Sequence, residues 1–292
     1  MSDGAEMDPS EAFSLVASET RFGILQALWD LTDGTREPAV SFETLRAESG
    51  IRDSGGFNYH LDQLTPQFVR KVDGEYALTT AGRQIVGGAV SGVYTDRETS
   101  MEPQHVGDCP ECGGPIETQY EQGRMLVTCR DCDLRLSDMH APPVLVATHD
   151  AETLPAVLSK HLLTEVQRMN RGFCVHCGGP LERSIVPRER EGFDDWNVRF
   201  TCRACGGQMS SVVTGGVVDH PVVVAFLHEA GIDYRETPVW ELDPVLNATE
   251  TVVSEEPLQI ETTLETGGRA LTLTIDDTLD VIEYERRETD DS

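Results

Sequence analysis

The chain has 292 residues, enough for two or three small domains, and Asp and Glu outnumber Lys and Arg by 51 to 23 for a formal charge of −28. Hydrophobic residues make up 39%, and no apolar run reaches the length needed to cross a bilayer, so a membrane-spanning class is excluded and a cytoplasmic protein is expected. Only Lys71 and Lys160 of the 23 bases are lysines, and the acids are spread along the chain, a balance that concentrated salt tolerates by screening self-repulsion.

Residues 10–95 read as helices, then a hairpin, then a helix, the order of a winged helix-turn-helix. Ser18 is placed to cap a helix whose apolar residues Phe22, Leu25, Leu28, Trp29 and Leu31 fall mostly on one face. Ser41 caps a second helix that Gly50 ends, and Asp53 caps a third over residues 54–64. Residues 68–72 and 75–78 read as strands, with Asp73-Gly74 as the two-residue turn between them. A further helix follows from Arg83, capped by Thr79 or Thr80.

Three motifs in this stretch are Glu19-Thr20-Arg21-Phe22-Gly23-Ile24-Leu25, Asn58-Tyr59-His60-Leu61-Asp62-Gln63-Leu64 and Tyr76-Ala77-Leu78-Thr79-Thr80-Ala81-Gly82. They resemble the ArsR-type winged-helix transcription regulators, and the whole chain resembles a haloarchaeal regulator of that type with added ribbons. The resemblance covers about the first third of the chain. It implies a third helix that enters the major groove of double-stranded DNA, a hairpin along the backbone, and a homodimer. The cysteine motif of that family's metal sensors is missing, because residues 10–95 contain no cysteine.

Base edges need short donors and acceptors near the start of the recognition helix, which nominates Ser54, Asn58, Tyr59 and His60. Arg52, Arg70 and Lys71 are the candidate phosphate contacts. Tyr59 and Leu61 could instead be core, since half of a small helix faces inward. Gly55-Gly56 reads either as a close backbone approach or as a deformed helix start. Residues 1–95 carry 14 acids and 7 bases, whereas an ordinary DNA-binding surface is basic. High salt shrinks the counterion term that rewards a basic surface, so shape and hydrogen bonds would have to carry more of the binding.

All eight cysteines fall into Cys-x-x-Cys pairs: Cys109/Cys112, Cys129/Cys132, Cys174/Cys177 and Cys202/Cys205. They form two units, with 16 residues between the pairs of the first and 24 between those of the second. One tight turn aims two thiolates at one ion, and two turns close a tetrahedral shell with no position left for water or substrate. Two structural zinc ions are expected. Disulfides fit less well, because the acidic N-terminal stretch has no secretory apolar run and a cytosol is reducing. An iron–sulfur cluster is a further alternative that four cysteines can hold. Cys109-Pro-Glu-Cys112-Gly-Gly-Pro and Cys174-Val-His-Cys177-Gly-Gly-Pro look like copies, so a duplicated zinc ribbon is expected, over residues 105–141 and 173–214. His176 lies inside a knuckle, while His105, His140, His149 and His161 are scattered.

Residues 142–172 should hold a connecting helix from Asp150, with a stripe of Leu154, Val157, Leu158, Leu162, Val166 and Met169 that packs on the ribbons or pairs two copies. The charged insert over residues 187–196 reads as a protruding loop, with Trp196 and Phe200 beside the second metal site. Residues 215–285 should give a helix from His220, then antiparallel strands over residues 239–242, 250–254, 258–264, 270–275 and 279–284. Residues 286–292 read as an acidic tail.

The fold class expected is therefore α+β and multidomain. The function expected is a DNA-binding transcriptional regulator, with an unidentified small-molecule effector open. Two alternatives are a zinc-ribbon adaptor for proteins and a metal- or redox-responsive regulator. No phosphate loop or nucleophile elbow is present, and a closed four-thiolate shell offers no catalytic position, so no enzymatic activity is expected.

Overall fold

The computed structural model describes residues 7–32, 39–187 and 196–289. The chain divides into two units, residues 1–96 with 142–144, and residues 97–141 with 145–292. The architecture is mixed α+β, with several antiparallel sheets and two four-cysteine clusters.

In the first unit, side-chain caps set the helix starts. Helices α1 (Pro9–Val16), α2 (Glu19–Leu31), α3 (Phe42–Glu48) and α4 (Ser54–Leu64) are capped by Asp8, Ser18, Ser41 and Asp53. The Asp53 carboxylate takes the Gly55 and Gly56 amides at 3.2 and 2.8 Å. A Cβ on Gly56 would lie 2.8 Å from that carboxylate, so the glycine there makes room for the cap. Strands β1 (Val69–Val72) and β2 (Glu75–Leu78) pair antiparallel, with Val69 opposite Leu78. Asp73 and Gly74 both take positive φ, 51° and 89°, as a tight hairpin turn demands. Helix α5 (Thr80–Val90) follows, its Gly82 amide donating to Thr79 Oγ1 at 3.1 Å. A Cβ on Gly82 would lie 2.3 Å from the Phe68 carbonyl oxygen, so helix and hairpin meet where there is no side chain. Ile24, Leu25, Leu28, Leu45, Phe57 and Leu61 are fully buried at the centre. The Phe42 ring meets Phe57 edge-on at 4.9 Å.

The second unit begins with a four-stranded meander, β3 (Met101–Asp108), β4 (Pro115–Glu121), β5 (Arg124–Cys129) and β6 (Arg135–His140). Alternation places Ile116, Thr118 and Tyr120 of β4, and Met125, Val127 and Cys129 of β5, on the buried side. Strand β3 begins at Met101, four residues before the stretch expected for the first ribbon. Its Met101 is buried, and its ladder to β4 supplies the pairing that composition did not announce.

Helix α6 (Pro143–Ala147) precedes α7 (Leu154–Asn170). The latter starts at Leu154 rather than Asp150, because residues 150–153 form a turn closed by the Thr153 amide on the Asp150 carbonyl. Its stripe packs within the unit. Leu154 and Leu158 join the apolar cluster of the first meander, while Leu163 and Met169 join that of the second sheet and the C-terminal strands.

A three-stranded sheet follows, β7 (Leu181–Pro187), β8 (Trp196–Cys202) and β9 (Gln208–Val212). Most of the insert read as a protruding loop, residues 188–195, lies outside the described residues. Phe200 is fully buried, and Trp196 packs against the same apolar cluster, which also takes in residues of the C-terminal strands. Helices α8 (Val213–Val217), α9 (Pro221–Glu229) and α10 (Asp243–Leu246) lead to the final meander, β10 (Thr249–Glu255), β11 (Leu258–Thr266), β12 (Arg269–Asp276) and β13 (Val281–Glu288). Ile260 and Leu264 of β11, and Leu271, Leu273 and Ile275 of β12, form its core-facing side.

Two expectations change here. Residues 239–242 hold a single 3-10 turn, Val239–Glu241, not a strand. Pro238 and Pro244 bracket it, and a proline cannot donate to a ladder. Residues 286–288 belong to β13 rather than to a tail, with Arg286 opposite Leu271 and paired to Glu229 at 3.0 Å. Residues 290–292 lie outside the described residues.

Candidate metal centres and an exposed helix face

Each cysteine pair lies on a short turn whose backbone is fixed by its own hydrogen bonds. In the first, the Gly113 amide donates to the Cys109 carbonyl at 2.9 Å and the Cys109 amide to the Gly114 carbonyl at 2.8 Å. Gly113 takes φ of 71°, which a glycine adopts without strain. The Gly114 amide then points at Cys112 Sγ, 3.4 Å away. In the pair at Cys129 the Cys129 amide donates to the Leu134 carbonyl at 2.8 Å, and the Asp131 amide lies 3.4 Å from Cys129 Sγ. The second unit is a close copy: the Gly178 amide bonds to Cys174 O at 2.9 Å, and the Gly179 and Ala204 amides lie 3.4 Å from Cys177 and Cys202 Sγ.

Strands β4 and β5, and β7 and β8, bring the two turns of each unit together. In each group of four, the sulfurs all lie within 4.8 Å of one another. Cys112 and Cys129 are 3.5 Å apart and Cys109 and Cys132 3.7 Å. Cys177 and Cys202 are 3.5 Å apart, and Cys174 and Cys205 3.8 Å. A tetrahedral ion with sulfur at its usual zinc distance has sulfur–sulfur edges of roughly 3.8 Å. All eight thiols are unbridged, and both groups are positioned to hold a metal ion.

The surroundings split the thiols into strong and weak acids. At Cys129 burial raises the pKa, but the Cys132 and Asp131 amides and the Cys112 and Cys132 thiols bring it down to about 7. At Cys202 the Cys205 amide leads and burial opposes, leaving it at about 6. At Cys112 the Gly114 amide lowers the value, yet Cys132 and Cys129 push it up to about 12. Cys177 matches it at about 12, where the Gly179 amide is outweighed by Cys202 and Cys205. Four sulfurs this close cannot all carry charge until a cation shares the site.

The two groups differ in setting. Cys109 and Cys129 belong to the apolar cluster of the first meander, with Cys132 packed on it. The Trp240 ring is buried in the same cluster, a support that the strand-like pattern of residues 239–242 conceals in the sequence. The Val239 amide beside it donates to Ser159 Oγ of α7 at 2.7 Å. His176 is exposed, with its ring centre 6.0 Å from that of His140.

The residues nominated for DNA lie on α4, the turn before it and the hairpin. Arg52, Ser54, Asn58 and Lys71 are exposed, and Tyr59 is 59% exposed, so Tyr59 is not core. Leu61 is fully buried. Asn58 Nδ2 donates to Asp62 Oδ2 at 2.9 Å, one helical turn on. His60 is half-buried, and its Nδ1 is buried without a hydrogen-bond partner. Arg70 is half-buried, while Lys71 Nζ lies 5.3 Å from the Tyr76 ring centre. No helix among the described residues is long and apolar enough to cross a membrane.

Two family models match. One, described as Domain of unknown function (DUF7347), covers residues 9–89. The other, Domain of unknown function (DUF7351), covers residues 106–281 and so takes in all eight cysteines. No curated protein matches the chain.

Proposed function

The chain belongs to the family described as Domain of unknown function (DUF7351), and from the paired thiolate groups inside that span and the helices before it we propose a DNA-binding transcriptional regulator that carries two structural zinc ions. The observation that carries the reading is the sequence of α2, α3, α4, hairpin and α5, with Ser54, Asn58 and Tyr59 exposed on the N-terminal half of α4 and Lys71 exposed on the hairpin. That order is the order of a winged helix-turn-helix of the ArsR type. In it α4 is the recognition helix, Asn58 offers the amide that pairs with adenine, and Arg52, Arg70 and Lys71 contact phosphates. His60, with its ring partly inside, contributes less to base reading than its position in sequence implies.

Zinc is the ion of choice for the sulfurs. Soft thiolates in a tetrahedral group of four select zinc among the common divalent ions, and the sulfur spacings fit its bond length. Such shells are closed to substrate, so the reading assigns the ions a structural role and the chain no catalysis. The protein works in the cytoplasm as a homodimer that reads two half-sites.

Electrophoretic mobility shifts and footprinting in molar salt test the reading. A dimer protecting paired half-sites supports it. Absence of any sequence-preferring DNA complex between low and molar salt rejects it, and favours an adaptor that uses the ribbons to bind protein.

A further inference from the structure

The duplication allows the two sulfur groups to be compared position by position. Around the last cysteine of the first group the chain reads Asp131-Cys132-Asp133-Leu134, and around that of the second it reads Ala204-Cys205-Gly206-Gly207. The backbones match. Asp133 and Gly206 take φ of 56° and 72°. The Cys129 amide donates to the Leu134 carbonyl at 2.8 Å, and the Cys202 amide to the Gly207 carbonyl at 2.9 Å.

The side chains do not match. Leu134 is 4% exposed and packs with Cys109 and Cys129 in the apolar cluster, closing one side of the first group. Gly207 has no side chain to put there; a Cβ on it would lie 3.2 Å from the exposed His176 ring and 3.3 Å from Cys205 Sγ, so the neighbour on that side is a polar surface ring rather than a buried leucine. Two carboxylates, Asp131 and Asp133, neighbour Cys132 in the chain, and none neighbours Cys205. Cys132 is half-buried, whereas Cys205 is exposed. No cysteine of the second group joins the apolar cluster beside it.

Cys112 and Cys177 are exposed alike and do not distinguish the groups. From the contrast at the last ligand we propose that Cys205 is more reactive than its equivalent Cys132, and that the second group is a site of oxidation by peroxides. The exposed Cys205 thiolate attacks the O–O bond, becomes a sulfenic acid and expels hydroxide. The Cys174 thiolate, whose sulfur lies 3.8 Å away, then attacks that sulfur and expels a second hydroxide, leaving a Cys174–Cys205 disulfide. Two sulfurs lose two electrons, and the peroxide takes them with two solvent protons to give two waters. With two thiolates left, the group no longer holds its ion. At Cys132 the neighbouring carboxylates oppose the departing hydroxide, and Leu134 limits approach.

This inference rests on the metal-filled shells proposed above, so the test begins by measuring metal in the whole chain as isolated. Hydrogen peroxide is then added, metal release is followed with a chromogenic chelator, and bridged cysteines are mapped by peptide mass spectrometry. The expected result is two phases, one equivalent leaving roughly tenfold faster than the other, with Cys174 and Cys205 bridged first. Ala204→Asp with Gly206→Asp, which gives Cys205 the flank that Cys132 has, should slow the fast phase toward the slow one. A single release rate, or a first bridge between Cys109 and Cys132, overturns the proposal. A chain isolated without metal overturns the zinc reading instead, and peptide mapping on that chain still tells whether Cys205 or Cys132 oxidises first.

Discussion

Cys112 and Cys129 hold their sulfurs 3.5 Å apart, and Cys177 and Cys202, at the equivalent places of the second unit, hold theirs at the same 3.5 Å. In each pair one thiol is exposed and the other buried. The buried member anchors the shell to its sheet. Replacing Cys129 by Ser leaves a poor ligand inside an apolar cluster, so bound metal should fall from two ions to one. Stability should fall by several kcal/mol, because metal-binding free energy is folding free energy in such sites. Elemental analysis and thermal melting of Cys129→Ser and Cys202→Ser check this. Cys202→Ser should likewise lose one ion, that of the second group, at a smaller cost in stability, since no cysteine of that group joins the apolar cluster beside it.

Metal uptake by the stripped chain should depend on pH with a defined sign. Cys129 and Cys202 are depressed below the ordinary 9.0, to about 7 and about 6. The stability these thiolates lend the metal-free fold is present above 9.0 and is lost as pH falls through the folded values. Uptake should therefore weaken as pH drops from 7 to 5, the first group failing at the higher pH. Cys112 and Cys177, raised to about 12, are still protonated at pH 8 and must each release a proton when metal enters. Titration calorimetry in buffers of different ionisation enthalpy measures that release. Uptake independent of pH over this range contradicts the assignment.

On α4, Asn58→Ala and Tyr59→Ala should each weaken the specific DNA complex by about 1–3 kcal/mol. Both side chains are exposed, so the melting temperature should stay nearly unchanged. Lys71→Ala should instead weaken binding evenly across sequences and flatten its salt dependence, as loss of one phosphate contact does. Fluorescence anisotropy with specific and scrambled duplexes separates the two kinds of effect.

The Trp240 ring, 5% exposed, is packed in the apolar cluster that holds Cys109 and Cys129. Trp240→Ala should cost about 3–5 kcal/mol by cavity formation. It should also quicken metal loss from the first group and leave the second untouched, which chelator competition can resolve into two rates.

The residues that shape the metal groups could be read from sequence because each turn is local. Two cysteines three positions apart, followed in three of the four turns by a glycine pair, specify their own backbone, and the second copy repeats the spacing. Caps at Ser18, Ser41 and Asp53 were legible for the same reason. Strand β3 was not. Glu102, Pro103 and His105 carry no alternation, and the strand exists because β4 offers it a ladder. Trp240 failed in the opposite direction: Val239, Trp240 and Leu242 look strand-like, but flanking prolines remove the donors a sheet needs. The contrast between Cys132 and Cys205 was present in the sequence as Asp-Cys-Asp-Leu against Ala-Cys-Gly-Gly. Its meaning lies in the packing, where Leu134 is buried and Cys205 is exposed.

Native mass spectrometry of freshly isolated chain tests the central claim most directly. The expected spectrum is the 32.1 kDa chain carrying two zinc ions, with all eight cysteines alkylated once acid has removed the metal. A metal-free mass with those cysteines bridged in pairs, or the added mass of an iron–sulfur cluster, would contradict it.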